Sequence, residues 1–274
     1  MKLYISADIE GVAGVASRAQ SGPEQFEYEL AREWMTGEVR AACEGAFDAG
    51  FSEIVISDSH GNGQNLLIDE LPESVRIVRC WPRPLEMMEG IQEGGFSAAM
   101  LIGYHAGATN MEGNLAHTLY GLVIRSVKIN GVIAPEAYIS AATAGEYGVP
   151  VVLISGDDVF VRETRGFLTD VTAVTTKESV GTLSAKTITP ASSCKLIRIA
   201  AKQALQNIAK FQPLVVETPV KLEVEFKHRL PAELLDFLPF ITRLDAFTIE
   251  HTAASMSDVS RFLAFITNYQ PTLV

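Results

Sequence analysis

Short, almost continuously apolar runs bounded by glycine or acid constrain this chain more than any other feature. Leu3-Tyr4-Ile5-Ser6-Ala7, Glu53-Ile54-Val55-Ile56-Ser57, Ala98-Ala99-Met100-Leu101-Ile102 and Pro150 to Ser155 are four such runs. Runs of that length and composition read as strands buried on both faces of a parallel sheet. Between them lie helix patterns. One covers Phe26 to Ala49, with Leu30, Trp34, Val39, Ala42, Ala46 and Phe47 at helical spacing and Gly50 as its C-terminal stop. A second follows Pro135, from Glu136 to Tyr147. Strand–helix alternation of this kind predicts an α/β fold, with a mostly parallel, doubly wound sheet and helices on both faces.

The pattern changes near Thr187. A helix is expected over Ser192 to Lys210 and an alternating strand over Val220 to Phe226. A short helix around Ala232 to Phe237, a strand near Phe247 to Glu250 and a helix over Asp258 to Tyr269 follow. The expectation is a catalytic α/β domain over residues 1–186 and a smaller C-terminal α+β domain over 187–274. Within the first half, Asn130-Gly131 marks a hairpin between Leu122–Ile129 and Val132–Ile133.

Three of the apolar runs end in residues that bind metals. The first ends in Asp8-Ile9-Glu10, the second in Asp58-Ser59-His60, the third in Gly103-Tyr104-His105. In an open α/β sheet, ligands collect beyond the carboxyl ends of the strands. Two carboxylates and two imidazoles are therefore aimed at one place. Imidazole with carboxylate suits Zn²⁺, and also Mn²⁺ or Fe²⁺. Such a donor set exceeds what one catalytic zinc needs. Two metals roughly 3.5–4 Å apart would use the surplus, and such a pair acidifies a bound water and polarises a carbonyl. Asp58, Asp157 and Asp158 also fall at strand ends, where they could orient a ligand histidine or cap a helix.

Other chemistries are poorly served. The sequence contains no HExxH, GxxxxGK[ST], GxSxG or GxGxxG motif. A net charge of -11 argues against nucleic acid or an anionic membrane surface as partner. The 274 residues are 47% hydrophobic and 20% charged, enough for a substantial core, without an apolar stretch that would span a bilayer. Three widely spaced cysteines, Cys43, Cys80 and Cys194, suggest buried small hydrophobes in a reducing, cytoplasmic setting rather than a disulfide framework.

The segments MKLYISADIEGVAGV, SDSHGNGQN, LIGYHAG, LAHT, APEAY and LISGDD resemble, in order, the zinc D-aminopeptidases of the dipeptide-transport-protein type. The resemblance is strong from Met1 to about Asp158. Beyond that, only Lys177 and Ser184-Ala185-Lys186 match. It implies two zinc ions per chain, held by Asp8, Glu10, His60, His105 and Glu136, with Asp8 bridging. The family usually has glycine before that helical glutamate; here Pro135 stands there. His117 matches the family's catalytic histidine, after a loop about one residue longer than usual. The resemblance further implies short peptide substrates with a free amino terminus, D-Ala-D-Ala among them, and a ring-like homo-oligomer, a decamer. The ligand set would equally serve another binuclear hydrolase, acting on a non-peptide amide or a phosphoester. A phosphoesterase would want a cation near the metals, with Arg125 or Lys128 as candidates. A metal-dependent peptide-binding protein without turnover would need no His117.

Overall fold

The computed structural model describes residues 1–269; residues 270–274, the end of the expected C-terminal domain, lie outside the described residues. The three ligand-bearing runs become β1 (Lys2–Ala7), β2 (Glu53–Asp58) and, after β3 (Val75–Val78), β4 (Phe96–Tyr104). β1 lies between β2 and β4 and is parallel to both. The chain then leaves for a second sheet as the hairpin of β5 (Ile124–Ile129) and β6 (Val132–Ile133), turning at Asn130 and Gly131 with both φ positive, as expected. It returns as β7 (Val151–Asp157), parallel to β4, and β8 (Thr172–Gly181), parallel to β7. β9 (Ser184–Thr187) finishes the edge antiparallel. The order is β3-β2-β1-β4-β7-β8-β9. From β1 the chain builds outward through β2 to β3, then restarts at β4 on the other side. That reversal opens a crevice at the carboxyl ends of β1 and β4.

The helices cover both faces, as the alternation predicts. α1 (Tyr28–Asp48) begins two residues later than its sequence pattern, and Phe26 and Leu30 are exposed. Val39, Ala42 and Ala46 of the expected stripe are buried, joined by Ala31 and Met35 rather than Leu30. α2 (Glu136–Glu146) lies between the two sheets. Ala137, Ala141 and Ala144 pack toward the parallel sheet, while Tyr138, Ile139 and Ala142 pack toward the second. α3 (Asp158–Thr164), not apparent in the sequence pattern, is capped by the Asp157 carboxylate, which accepts from the Val159 and Phe160 amides. α4 (Pro190–Gln206) crosses α1 closely; a Cβ on Gly45 would sit 2.4 Å from the Arg198 carbonyl oxygen. The sequence pattern starts α4 at Ser192. The structure starts it earlier because Thr189 caps the Ser192 amide and Pro190 fits the first turn, where no amide hydrogen is needed.

The second sheet is antiparallel. β10 (Val220–Phe226) pairs with β5 on one side and β12 (Thr248–Ala253) on the other; β11 (Ile241–Arg243) forms the far edge. β10 alternates buried and exposed positions because only one face is covered. That covered face packs with α2, α5 (Arg229–Leu235) and α6 (Met256–Asn268). This sheet draws β5 and β6 from before residue 187, whereas α4, after it, packs on α1. The three cysteines are unpaired. Cys43 is buried as expected, but Cys80 is exposed. Among the described residues no helix is long and apolar enough to cross a membrane.

Glu38 of α1 is fully buried. One carboxylate oxygen accepts from the Ala13 amide at 3.0 Å and the Ser193 hydroxyl at 2.7 Å, and the other has no partner. Burial pushes its pKa up to about 7, against the opposing hydrogen bonds. Because the folded value lies above the unfolded one, the folded chain holds more protons between them. Glu38 therefore favours folding fully below about pH 4.5, and that contribution is lost as pH rises through about 7. Glu38→Gln is expected to flatten the decline in stability over that window, gaining on the order of 1–3 kcal/mol over the parent at pH 8 relative to pH 4. Urea unfolding at the two pH values measures it; parallel curves for the two proteins would count against a strained Glu38.

Candidate metal centre

Each ligand candidate is positioned by the end of an element. Asp8 and Glu10 leave β1 in a tight turn whose Gly11 amide donates to the Gly103 carbonyl at 2.7 Å. A side chain at Gly11 would collide with the Tyr104 carbonyl oxygen, 1.8 Å from a Cβ there. Gly103 adopts φ +73°, and its Cβ would meet the Asp8 carbonyl oxygen at 2.2 Å. Two glycines thus bring the ends of β1 and β4 together and set His105 beside Asp8. His60 leaves β2 on a loop fixed by Asp58, whose carboxylate accepts from the Asn65 and Leu66 amides and the Asn65 side chain at 2.6–2.8 Å. Glu136 opens α2 directly after Pro135, and its carboxylate accepts from the Leu119 amide at 2.6 Å.

The structure brings all six sequence-predicted site residues together. Asp8, Glu10 and His60 form one group of potential metal donors, and His105, His117 and Glu136 a second. Within each group the donor atoms lie within 4.8 Å of one another. Asp8 spans the two: Oδ1 lies 3.2 Å from His60 Nδ1, and Oδ2 lies 3.4 Å from His105 Nε2. Glu10 Oε2 is 2.8 Å from His60 Nδ1, and Glu136 Oε1 is 3.5 Å from His105 Nε2 and 3.9 Å from His117 Nε2. The His105 and His117 rings stack at 4.0 Å.

Backbone carbonyls fix the imidazole tautomers. A carbonyl only accepts, so a ring nitrogen bonded to one must carry the hydrogen. His60 Nε2 donates to the Ser21 carbonyl, His105 Nδ1 to Ala106 at 2.9 Å, and His117 Nδ1 to Leu115 at 2.8 Å. Each leaves its other nitrogen turned toward the carboxylates, as metal-binding histidines require.

Charge in the site is unbalanced by design of the donor set. Burial, and then the neighbouring Glu10, push Asp8 up to about 7. Burial also opposes the charged forms of Glu10 and Glu136, but the adjacent His60 and His105 respectively draw both below the ordinary glutamate value. His60 is pushed down by burial, yet Glu10 and Asp8 carry it well above the ordinary histidine value. His105 is likewise pushed down by burial, yet Glu136, Asp8 and Glu10 together carry it up to about 10. His117 moves the other way, lowered by burial and by His105. Three buried carboxylates therefore demand positive charge, which here comes chiefly from imidazole protons.

Asp8 Oδ2, Glu10 Oε2 and His105 Nε2 are buried without a hydrogen-bond partner. Convergent lone pairs held close but unbonded are costly unless a cation sits among them. Oxygen and imidazole nitrogen donors in two groups sharing a carboxylate fit divalent zinc.

Other candidate residues have different work. Asp157 caps α3, Asp158 accepts from the Ser179 amide at 2.7 Å, and Asp58 holds its own loop, so no hydrogen bond joins any of them to a site histidine. Arg125 pairs with Glu225 at 3.3 Å and Lys128 with Glu223 at 3.1 Å, in the antiparallel sheet. The two remaining histidines, never candidates, lie elsewhere: His228 precedes α5, and His251 packs on Phe262. Residues the strand-end reading missed are Glu86, in the wall of the crevice, and Lys177, whose ammonium donates to the carbonyls of Glu10 and Val15. Lys177 lies in β8, whose mixed composition gives no strand-end signal.

Two donor groups joined by one carboxylate, at the switch point of an α/β sheet, define a metal-dependent hydrolase. The sequence model of the D-aminopeptidase peptidase family matches residues 1–265, and the chain belongs to that family. A D-aminopeptidase of Bacillus subtilis (strain 168) is 31% identical over 240 residues, covering 87% of this chain and 86% of the relative. The solved structure of the Zn-dependent D-aminopeptidase DppA from Bacillus subtilis, described as a self-compartmentalizing protease, superposes with a TM-score of 0.92. That match is 28% identical and covers 97% of each chain. The α/β fold and the hydrolase class expected from the sequence both stand.

Proposed function

We propose that this chain is a two-zinc aminopeptidase that removes the first residue of short peptides, with D-residues preferred. The observation that carries the reading is Asp8, with one oxygen facing each donor group. Asp8, Glu10 and His60 would hold one zinc ion, and His105 and Glu136, with Asp8, the other. When bound, zinc there supplies Lewis-acid polarisation of the scissile carbonyl and acidifies water. The protein supplies the rest. Leu119 and Tyr120 line the crevice beside the donors, where the reacting amide would sit. The Leu115 carbonyl holds the His117 Nδ1 hydrogen, leaving the Nε2 lone pair to take a proton from the attacking water and return it to the departing amine. The D-preference, the homo-oligomeric state, a decamer, and the cytoplasmic setting are part of the proposal. The first two are supported by relatives that are a D-aminopeptidase and a self-compartmentalizing protease, the last by three unpaired cysteines.

Hydrolysis of D-Ala-D-Ala and L-Ala-L-Ala, with metal content measured on the same sample, tests the reading. Turnover of the D-peptide with about two zinc ions per chain is expected. Two metals with neither peptide cleaved would end the peptidase reading and leave the metal centre. His117→Ala is expected to lower kcat by ~10²–10⁴ while metal content stays unchanged. Loss of a metal with the activity would instead make His117 a ligand, the third member of the group with His105 and Glu136.

A further inference from the structure

The crevice has two rooms with His117, Leu119 and Tyr120 forming the shared wall. The smaller room, about 300 Å³, is lined by Asp8, His60 and Glu136 of the metal centre and also by Glu86, Trp81 and the end of α6. The larger, about 420 Å³, contains Glu10 together with Arg18 and Lys227. Both volumes suit one end of a small ligand. With the metal ligands set aside, the residual charges are opposite: a carboxylate in one room, two cations in the other.

Glu86 has no role in the metal centre. It is only 6% exposed, and among the described residues no Lys, Arg or His forms an ion pair with it. Its side-chain partner there is the Thr267 hydroxyl, donating to Oε1 at 2.9 Å. Burial pushes its pKa up to about 7, against the Thr267 hydrogen bond. Nearby Arg83 offsets this only in part and forms no ion pair with Glu86, its guanidinium donating instead to Ser57 Oγ and to the Asp58 and Cys80 carbonyls. The residue also has a backbone φ of +52°, a conformation that a side chain other than glycine adopts at a cost. Trp81, in the same wall, has a buried indole Nε1 without a partner. A carboxylate without an ion pair and an indole donor without a partner in one small room leave polar valence for a ligand.

On the reading of the chain as an aminopeptidase, we propose that the crevice sorts a peptide by its terminal charges. The α-ammonium docks at Glu86 in the smaller room, and the C-terminal carboxylate faces Arg18 and Lys227 in the larger. The scissile amide then lies between the rooms, at His117 and the metal ligands. A peptide entering backwards would set ammonium against Arg18 and Lys227 and carboxylate against Glu86, and such like-charge contacts select against it. Glu86 is a specificity-determining residue in this scheme, whereas a purely structural Glu86 would affect stability without discriminating between ligand forms.

The test uses the zinc-loaded full chain and a non-hydrolysable ketomethylene analogue of D-Ala-D-Ala, in its free, N-acetylated and C-terminally amidated forms. Calorimetric Kd values are measured for the parent, Glu86→Gln and the double variant Arg18→Gln with Lys227→Gln, with metal content and D-Ala-D-Ala turnover on the same samples. Glu86→Gln should weaken the free and amidated forms ~10–100-fold and leave the N-acetylated form unchanged, with metal content intact. The double variant should weaken the free form ~3–10-fold and leave the amide unchanged. If Glu86→Gln binds all three forms as the parent does, the scheme is overturned, and continued turnover shows that the aminopeptidase reading survives it. Equal loss for all three forms assigns Glu86 a structural role and also overturns the scheme. If the parent binds the analogue in the charge-dependent way described but cleaves no peptide, the aminopeptidase reading fails while the sorting stands.

Discussion

Asp8→Asn is expected to empty both metal positions together. Metal content should fall from about two to well below one per chain, and kcat/KM for D-Ala-D-Ala by at least ~10³. The replacement is nearly isosteric, so the crevice keeps its shape. It changes charge and valence. Asp8 now turns Oδ1 toward His60 and Oδ2 toward His105, at 3.2 and 3.4 Å. Asparagine offers one acceptor oxygen and one NH₂, so whichever way it turns, one donor group meets hydrogens where it had a lone pair. A cation there loses a negative charge and gains a repulsive dipole. Glu10→Gln makes the instructive comparison, because Glu10 belongs only to the group with His60. It should release about one metal and leave the other. Circular dichroism should show both variants folded. An Asp8→Asn protein that retains two metals would end the claim that this residue bridges.

The strand ends were legible because the chemistry and the fold use the same residues. Strands buried on both faces must be continuously apolar, so β1, β2 and β4 stand out, and their polar termini stand out in turn. Asp8, Glu10, His60 and His105 could be read that way. Glu136 and His117 could not, since one begins a helix and the other sits in a loop 12 residues past His105. Family resemblance was needed for both. What carried no signal was long-range. β8 mixes threonine, lysine and glutamate and looks like a loop. Its place between β7 and β9, which buries Lys177 beneath the Glu10 turn, follows from sheet pairing that no local window records. The hairpin at Asn130-Gly131 was plain, but its partner strand lies far along the chain, with Leu222 opposite Ile129, 93 residues before it, across β5 and β10. Glu86 was invisible for the same reason. Its burial depends on Thr267 of α6 closing over it from the far end of the chain.

Lys177→Met is expected to destabilise the chain by ~3–5 kcal/mol, a large part of the ~5–15 kcal/mol by which folded domains are stable. Lysine is rarely this buried; here it is 1% exposed. Burial draws its pKa down to about 8, with Asp157 the largest opposing charge, followed by Glu10 and Glu38. At neutral pH the ammonium still predominates, donating to the carbonyls of Glu10 and Val15. Methionine matches the length of the stem, so no large cavity forms. The loss is electrostatic. Two buried carbonyls lose their donor, at ~1–3 kcal/mol each, and Asp157, whose Oδ2 is already without a partner, loses its largest compensating charge. The turn from Glu10 to Val15 is pinned at both ends by this one group, so its release also loosens the Glu10 carboxylate. Metal affinity should therefore fall in Lys177→Met even at temperatures where the protein remains folded. Urea unfolding of metal-free protein isolates the first effect, and zinc titration of the folded variant the second. Unchanged unfolding midpoints would mean that the buried ammonium had been offset by its own desolvation, with the turn held by its glycines alone. Unchanged zinc affinity with lowered stability would confine Lys177 to the core and separate the placement of Glu10 from it.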